Sequence, residues 1–300
     1  APAPTDSGRP QDMSSTVWNH RRVSHIMELI ERIGIDLGIK TSVEEGLRWA
    51  SAHGLRYVDF RLDTGPEAFA AFTPARCSAI RTQAEAAGIT LGLHTLSAVN
   101  IAEYAPYLAE AADQYLRTYI DLAKALNAGW VDVHAGYHFT SDVAQRQVAG
   151  LERLKRAVAY AETQGVLLLL ENLNWEPEHA EVHYLAHNLA ECQYYFEAID
   201  SPHLRWAFTV NHAALVPEGI DGFLDQMGLA RCEEVRLADS HGRYEEHLPP
   251  GEGQIDFRQL FRRLEQDLQF HGHYMCAFGA PEVMLAGRTY LAQEAAAALR

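Results

Sequence analysis

From about residue 32 onward, short runs of β-type residues alternate with longer stretches whose apolar positions recur every three or four residues. The first kind of run predicts eight strands: Ile33–Gly38, Tyr57–Arg61, Ile89–His94, Trp130–His134, Val166–Glu171, Leu204–Thr209, Glu234–Ala238 and Tyr274–Phe278. Some of them, such as Val166-Leu-Leu-Leu-Leu-Glu171, are apolar nearly throughout, as strands covered on both faces of a parallel sheet must be. The second kind predicts helices over Val43–Ala52, Pro74–Ala87, Leu108–Leu126, Ser141–Thr163, His187–Ala198, Ile220–Gln226, Asp256–Asp267 and Pro281–Leu299. Gly54, Gly88, Gly165 and Gly272 each precede a strand and suit helix ends. Thr41-Ser42 and Ser141 suit helix N-caps. Eight successive βα units predict an α/β protein, a single (β/α)8 TIM barrel, with a doubly wound open sheet as the alternative. No GxGxxG follows the first strand, which counts against dinucleotide binding.

Composition adds bounds. The 300 residues are 48% hydrophobic and 22% charged, enough apolar material for one large core. The net charge of -15 opposes binding to nucleic acid or an anionic membrane surface. Cys77, Cys192, Cys232 and Cys276 form no CxxC pair, so they read as reduced core residues in a cytoplasmic protein. No apolar run approaches the ~18 residues of a membrane span. Residues 1–26 are polar, rich in Pro and Ser at the start and without a signal-like apolar stretch, so they read as a mobile extension before a barrel over 27–300. Met13 and Met27 are both candidate native starts.

In a barrel of this kind the chemistry lies at the C-terminal ends of the strands. Here those ends are polar: Arg61 and Asp63, His94 with Asn100, His134, then Glu171-Asn172-Leu-Asn174, then Thr209-Val-Asn211-His212. The seventh carries Arg236, Asp239 and His241, followed by His247 and Glu252; the eighth runs Ala277-Phe-Gly-Ala-Pro-Glu282. So many polar groups converging on one mouth imply a ligand pocket, because burying them without purpose is costly.

These segments together resemble the xylose isomerase-like barrel superfamily over residues 32–290. The resemblance rests on IGIDLG, YVDFRLD, GLHTLSAVNI, VDVHAGY, LLLENLN, FTVNHAAL, VRLADSHG, EEHLPPGEGQIDF and CAFGAPE, in that order. It implies sugar isomerases and epimerases as relatives, with an AP endonuclease branch, and one divalent cation held by Glu, Asp, His and Glu on strands five to eight. Carried onto this chain, only the first ligand is present, as Glu171; Thr209, Arg236 and Ala277 stand at the other positions. Thr and Ala cannot replace carboxylates, and Arg is a permanent cation, so the usual metal site is expected to be absent. The resemblance leaves a second arrangement open. His94, His134 and Glu171 match an additional zinc site of the endonuclease branch, and His212 with His247 match part of a third, with Glu245 where that pattern has Asp.

The expected activity is isomerase, epimerase or lyase chemistry beside the carbonyl of a small polar, even anionic, substrate. Glu171 is the candidate base, His212 the acid or second base, and Arg236 (with His134) the stabiliser of developing negative charge. His94, His134, Asn172, Asn211 and His247 would hold hydroxyls, and Arg61 an anionic end. A plain Glu171–Arg236 ion pair is the structural alternative. No cofactor is expected; Mn, Mg or Zn at a displaced site and a non-catalytic binding descendant are the alternatives. The partner is a small molecule rather than nucleic acid or membrane, and a homo-oligomer stays open. His138, Trp175, Tyr184, Tyr194 and Tyr195 form either a sugar-stacking cap or the packing of the strand-five loop. Gly251-Glu252-Gly253 has the look of a phosphate loop, but its carboxylate favours a structural turn.

Overall fold

The computed structural model describes residues 29–300. The expected extension over residues 1–26 lies outside the described residues. Eight parallel strands close into a barrel: β1 (Ile33–Gly38), β2 (Tyr57–Arg61), β3 (Thr90–His94), β4 (Trp130–Val133), β5 (Leu168–Glu171), β6 (Leu204–Thr209), β7 (Cys232–Leu237) and β8 (His273–Cys276). Each pairs with its sequence neighbours, and β8 closes on β1 through Ile33–Tyr274, Gly34–Met275 and Ile35–Cys276. The open-sheet alternative is therefore set aside.

Helices fall where the periodicity places them. Val43–Ala52 starts on Ser42, whose hydroxyl accepts from the Glu45 N–H; Pro74–Ala87 starts the same way on Thr73. The longer Pro106–Leu126 and Val143–Gln164 follow β3 and β4. The first of these starts two residues earlier than the spacing predicts, with Pro106 at its first position. Gly88 and Gly165 end their helices at φ 63° and 70°, a left-handed turn that glycine adopts without strain. The segment read as one helix over Asp256–Asp267 is an α-helix at Phe257–Phe261 that widens into a π-helical stretch over Arg262–Asp267.

Strand alternation divides the side chains into two compartments. In β1, Ile33, Ile35 and Leu37 face the helices and join the main core; in β2, Val58 and Phe60 do the same. The other set of positions points into the barrel. Its lower layer is aromatic: the His273 ring lies 4.7 Å from Tyr57 and 4.1 Å from Trp130. Beside it, Trp130, Leu169, Ala207 and Met275 form a small separate apolar cluster. Gly92 has no room for a side chain here, since a Cβ would stand 2.1 Å from Asp59 Oδ1 and 2.3 Å from the Trp130 ring. All four cysteines are buried and unpaired. No helix among the described residues is long and apolar enough to cross a membrane.

Above the aromatic layer lies a buried charged one. Arg236 Nη1 donates to Asp59 and Glu234 at 2.6 Å each and to Asp132 at 2.8 Å, and Nη2 donates to Asp36 at 2.7 Å. Glu234 also meets His273 Nε2 at 2.7 Å. Four carboxylates share one guanidinium, and the layer divides accordingly. Burial pushes the Asp36 carboxyl up, but the Arg61 and Arg236 charges prevail and hold it at about 2. Burial likewise opposes, and the Arg236 charge and the His273 hydrogen bond prevail, at Glu234, also held at about 2. Burial and then the Glu234 charge push Asp59 and Asp132 well above the ordinary carboxylate range.

Candidate active site

A cavity of about 340 Å³ opens at the C-terminal ends of the strands, a size suited to a small molecule. Its inner wall brings together His94 from the end of β3, His134 just past β4 and Glu171 from the end of β5, all buried. His94 Nε2 lies 3.0 Å from His134 Nε2 and 3.4 Å from Glu171 Oε2, and His134 Nε2 lies 3.2 Å from that oxygen. Four-coordinate zinc with bonds of about 2.0–2.1 Å sets its ligand atoms roughly 3.3 Å apart, so this triangle has the dimensions of a coordination edge set. The His94 and His134 Nδ1 atoms are buried and find no hydrogen-bond partner among the described residues. Two imidazoles and a carboxylate are also a donor set that a catalytic zinc accepts. These residues fit a divalent cation.

The other three residues at the family's usual metal positions do not fit one. The Thr209 hydroxyl already donates to Glu171 Oε1 at 2.5 Å, Ala277 offers no donor atom, and Arg236 is a cation. The placement of Arg236 differs from the sequence expectation. It does not line the cavity but lies fully buried below it in the four-carboxylate layer. The long side chain runs from the mouth layer down to oppositely charged groups, leaving Nε 4.0 Å from Glu171 Oε1, its longest ion-pair separation. It cannot touch a ligand in the mouth, and Glu171 is not its main partner.

Facing the first trio is a second. His212 sits on a single helical turn, Val210–Ala213, that follows β6 directly. Its Nδ1 donates to the Asn172 carbonyl at 2.8 Å, and its Nε2 lies 3.3 Å from Glu245 Oε1. Glu245 Oε1 also meets His247 Nε2 at 2.5 Å, and the His247 ring stacks on Phe278 at 3.4 Å between centroids. His212 Nδ1 is 3.7 Å from Glu171 Oε1, so the two trios adjoin. Burial disfavours the imidazolium of His212, but the Glu245 charge and hydrogen bond outweigh it and raise the pKa above its ordinary value. Glu245 is held at about 2 by the same pair, against burial. Burial and the Arg236 charge pull His94 down to about 4. Glu171 is held well below the usual range, its burial outweighed by hydrogen bonds from His134 and His94.

Of the other residues singled out in the sequence, Arg61 lines the cavity with Nη2 donating to Asp36 Oδ2 at 3.1 Å. Asn172 and Asn211 do not line it. The Asn172 amide is spent on the Thr209 backbone and the Trp206 indole, which ties β5 to β6; Asn211 donates to the Glu245–Glu246 loop. Of the aromatic set only Tyr184 reaches the cavity; Tyr195 is buried, and Trp175 and Tyr194 pack against the core. Gly251 donates its N–H to Asp239 Oδ2, and a Cβ on Gly253 would stand 2.3 Å from Asp239 Oδ1, so this loop is a structural turn. Sequence reasoning counted Asn174 among the polar ends of the fifth strand without giving it a role, and missed Ser97, Glu176 and Phe278 in the lining. None of these three carried a signal that could have found it.

A closed (β/α)8 barrel whose mouth holds two adjoining imidazole–carboxylate trios defines a class of barrel built for polar chemistry on a small ligand. The model of the xylose isomerase-like TIM barrel family matches residues 47–300, and the chain belongs to that family. It is 28% identical to fructoselysine 3-epimerase of Shigella flexneri over 168 residues, covering 52% of this chain and 58% of that relative. A D-tagatose 3-epimerase-like protein shares the fold at a TM-score of 0.74 and 19% identity, over 87% of this chain and 96% of that one. Endonuclease IV from Thermus thermophilus shares it at 0.66 and 21%, over 87% and 98%.

Proposed function

We propose that this chain is a sugar isomerase or epimerase that moves a proton at the carbon beside the carbonyl of a small polyhydroxylated ketone, with a divalent cation at a displaced site. The observation that carries the reading is the convergence of His94 Nε2, His134 Nε2 and Glu171 Oε2 within 3.0–3.4 Å at the cavity wall. The relatives named as 3-epimerases of fructoselysine and D-tagatose support the reaction class.

The residues divide the work by charge. Glu171, ionised at neutral pH, accepts the proton from carbon. His212, raised in pKa and fixed through Nδ1 by the Asn172 carbonyl, carries a proton on Nε2 that it can return. Glu245 orients both His212 and His247 and keeps the first protonated. Arg61, with donors beyond the one used by Asp36, holds hydroxyl or carbonyl oxygens. His94, His134 and Glu171 would hold the cation, which supplies Lewis-acid polarisation of a carbonyl oxygen when bound. Arg236 acts through the floor of the site, as a fixed charge that adds to the His134 and His94 hydrogen bonds in holding the Glu171 pKa low.

One observation favours a metal-free form of the same chemistry: that fixed guanidinium already lies near Glu171. Chelating the purified protein, then adding back Mn, Co or Zn while following D-fructose and D-tagatose conversion by proton NMR, separates the two. Activity lost on chelation and restored by one metal supports the displaced site. Activity indifferent to chelation supports the metal-free form. No conversion under any condition, across ketoses of five and six carbons, would refute the proposal.

A further inference from the structure

The charges around the cavity are unequally matched. Glu171 lies against His94 and His134 with the Arg236 guanidinium 4.0 Å away, Glu245 is paired with His212 and His247, and Arg61 with Asp36. Glu176, on the loop after β5, also lines the cavity, and it makes no ion pair among the described residues. Its Oε1 accepts from the Asn174 amide at 2.6 Å, which holds the carboxylate in place without neutralising it. The loop itself is pinned. Tyr137–His138 and His183–Tyr184 form a two-residue antiparallel ribbon, and Tyr184 also lines the cavity, its ring 6.3 Å from Tyr137 and edge-on to it. Glu176 and Tyr184 thus line the same cavity from the same loop.

A lone carboxylate is sustained by water while the cavity is open. A bound ligand displaces that water, and a neutral one would leave the charge poorly compensated. A cation would restore the balance, and an aromatic ring lining the same cavity suits a cation as well.

We propose that Glu176, with the Tyr184 ring, forms a subsite for a protonated amine, so that the preferred substrate is an amine-bearing ketose rather than a neutral one. This rests on the reading of the cavity as a ketose site. The remaining polar groups would hold the sugar portion, and Glu176 would select among ketoses by the charge on their substituent.

Calorimetric titration of the full chain with D-fructose and with 1-amino-1-deoxy-D-fructose tests it, at about pH 6.5, below the ~7.7 of an ordinary α-amino group. The wild type should bind the amine about tenfold more tightly, as a charge-assisted hydrogen bond implies. Glu176→Gln keeps an acceptor for Asn174 and removes only the charge. It should bring the two probes within about threefold of each other. Equal affinity for both probes in the wild type would overturn the inference and leave the ketose reading standing. An amine preference that survives Glu176→Gln would overturn the assignment to Glu176. Binding of neither probe would defeat the ketose reading, and this inference with it.

Discussion

Replacing Arg236 by Met keeps the length and most of the bulk of the side chain but removes the guanidinium that the four carboxylates of the buried layer share. In the structure that group meets Asp36, Asp59, Asp132 and Glu234 at 2.6–2.8 Å, all in the barrel interior. Removing one partner of a buried ion pair costs about 3–5 kcal/mol, because the survivor is left charged and unsolvated. The four losses are not additive, since the carboxylates can take up protons instead. About 4 kcal/mol is the expected floor near neutral pH, a large part of the ~5–15 kcal/mol available to a folded protein. With a urea m-value of about 3 kcal/mol/M, the midpoint should fall by about 1 M or more. The sign of the pH dependence separates charge from packing. Without Arg236 the folded pKa of Glu234 rises, because that charge is the largest one holding it down, so the variant's deficit grows as pH rises and shrinks on acidification. Circular dichroism during urea unfolding at about pH 5 and about pH 8 reads both effects. A midpoint within about 0.3 M of wild type at pH 8, or a deficit equal at the two pH values, would refute this account of the layer.

Other expectations follow from the same geometry. His134→Ala should lower affinity for cobalt or zinc by at least about tenfold, read by metal titration and by loss of a cobalt d–d absorption; unchanged affinity would mean that His134 is not a ligand. In the wild type, Asp36 and Glu234 are held at about 2, below their unfolded values. The stabilisation they give is present above about pH 4.5 and lost as pH falls toward 2, on the order of 2 kcal/mol from each, which urea midpoints across that range should show. Gly92→Ala should cost about 1–3 kcal/mol by forcing Asp59 and Trp130 apart, measured as a midpoint shift with an unchanged m-value.

Much of this architecture could be read from the chain, and what could not has a physical reason. In Ile33-Gly-Ile-Asp-Leu-Gly38 the apolar positions alternate with small or acidic ones, and that alternation is the division between outer core and barrel interior. The same pattern placed Asp59 and Asp132 mid-strand among apolar residues, which was the available sign of a buried charged layer, whereas Glu234 follows Glu233 at the start of its predicted strand. Attention to strand ends alone put Arg236 in the mouth, because position along a strand says where a long side chain starts and not where its head settles. His94, His134 and Glu171 were legible as candidates, but their 3.0–3.4 Å triangle depends on barrel closure and register. The helical turn Val210–Ala213 follows β6 directly and is too short to show a helical period. Glu176 lies in a loop without periodicity, held near the mouth by a two-residue ribbon between segments some forty-five residues apart.

The most direct test of the proton-transfer claim is solvent isotope exchange. The protein, supplied with the metal it prefers, is incubated in D2O with ketose substrates, and deuterium at the carbon beside the carbonyl is followed by NMR for wild type and Glu171→Gln. Exchange in the wild type that falls by at least about a hundredfold in the variant is the expected result. Exchange that proceeds equally well without the Glu171 carboxylate, or no exchange with any ketose, would contradict the account.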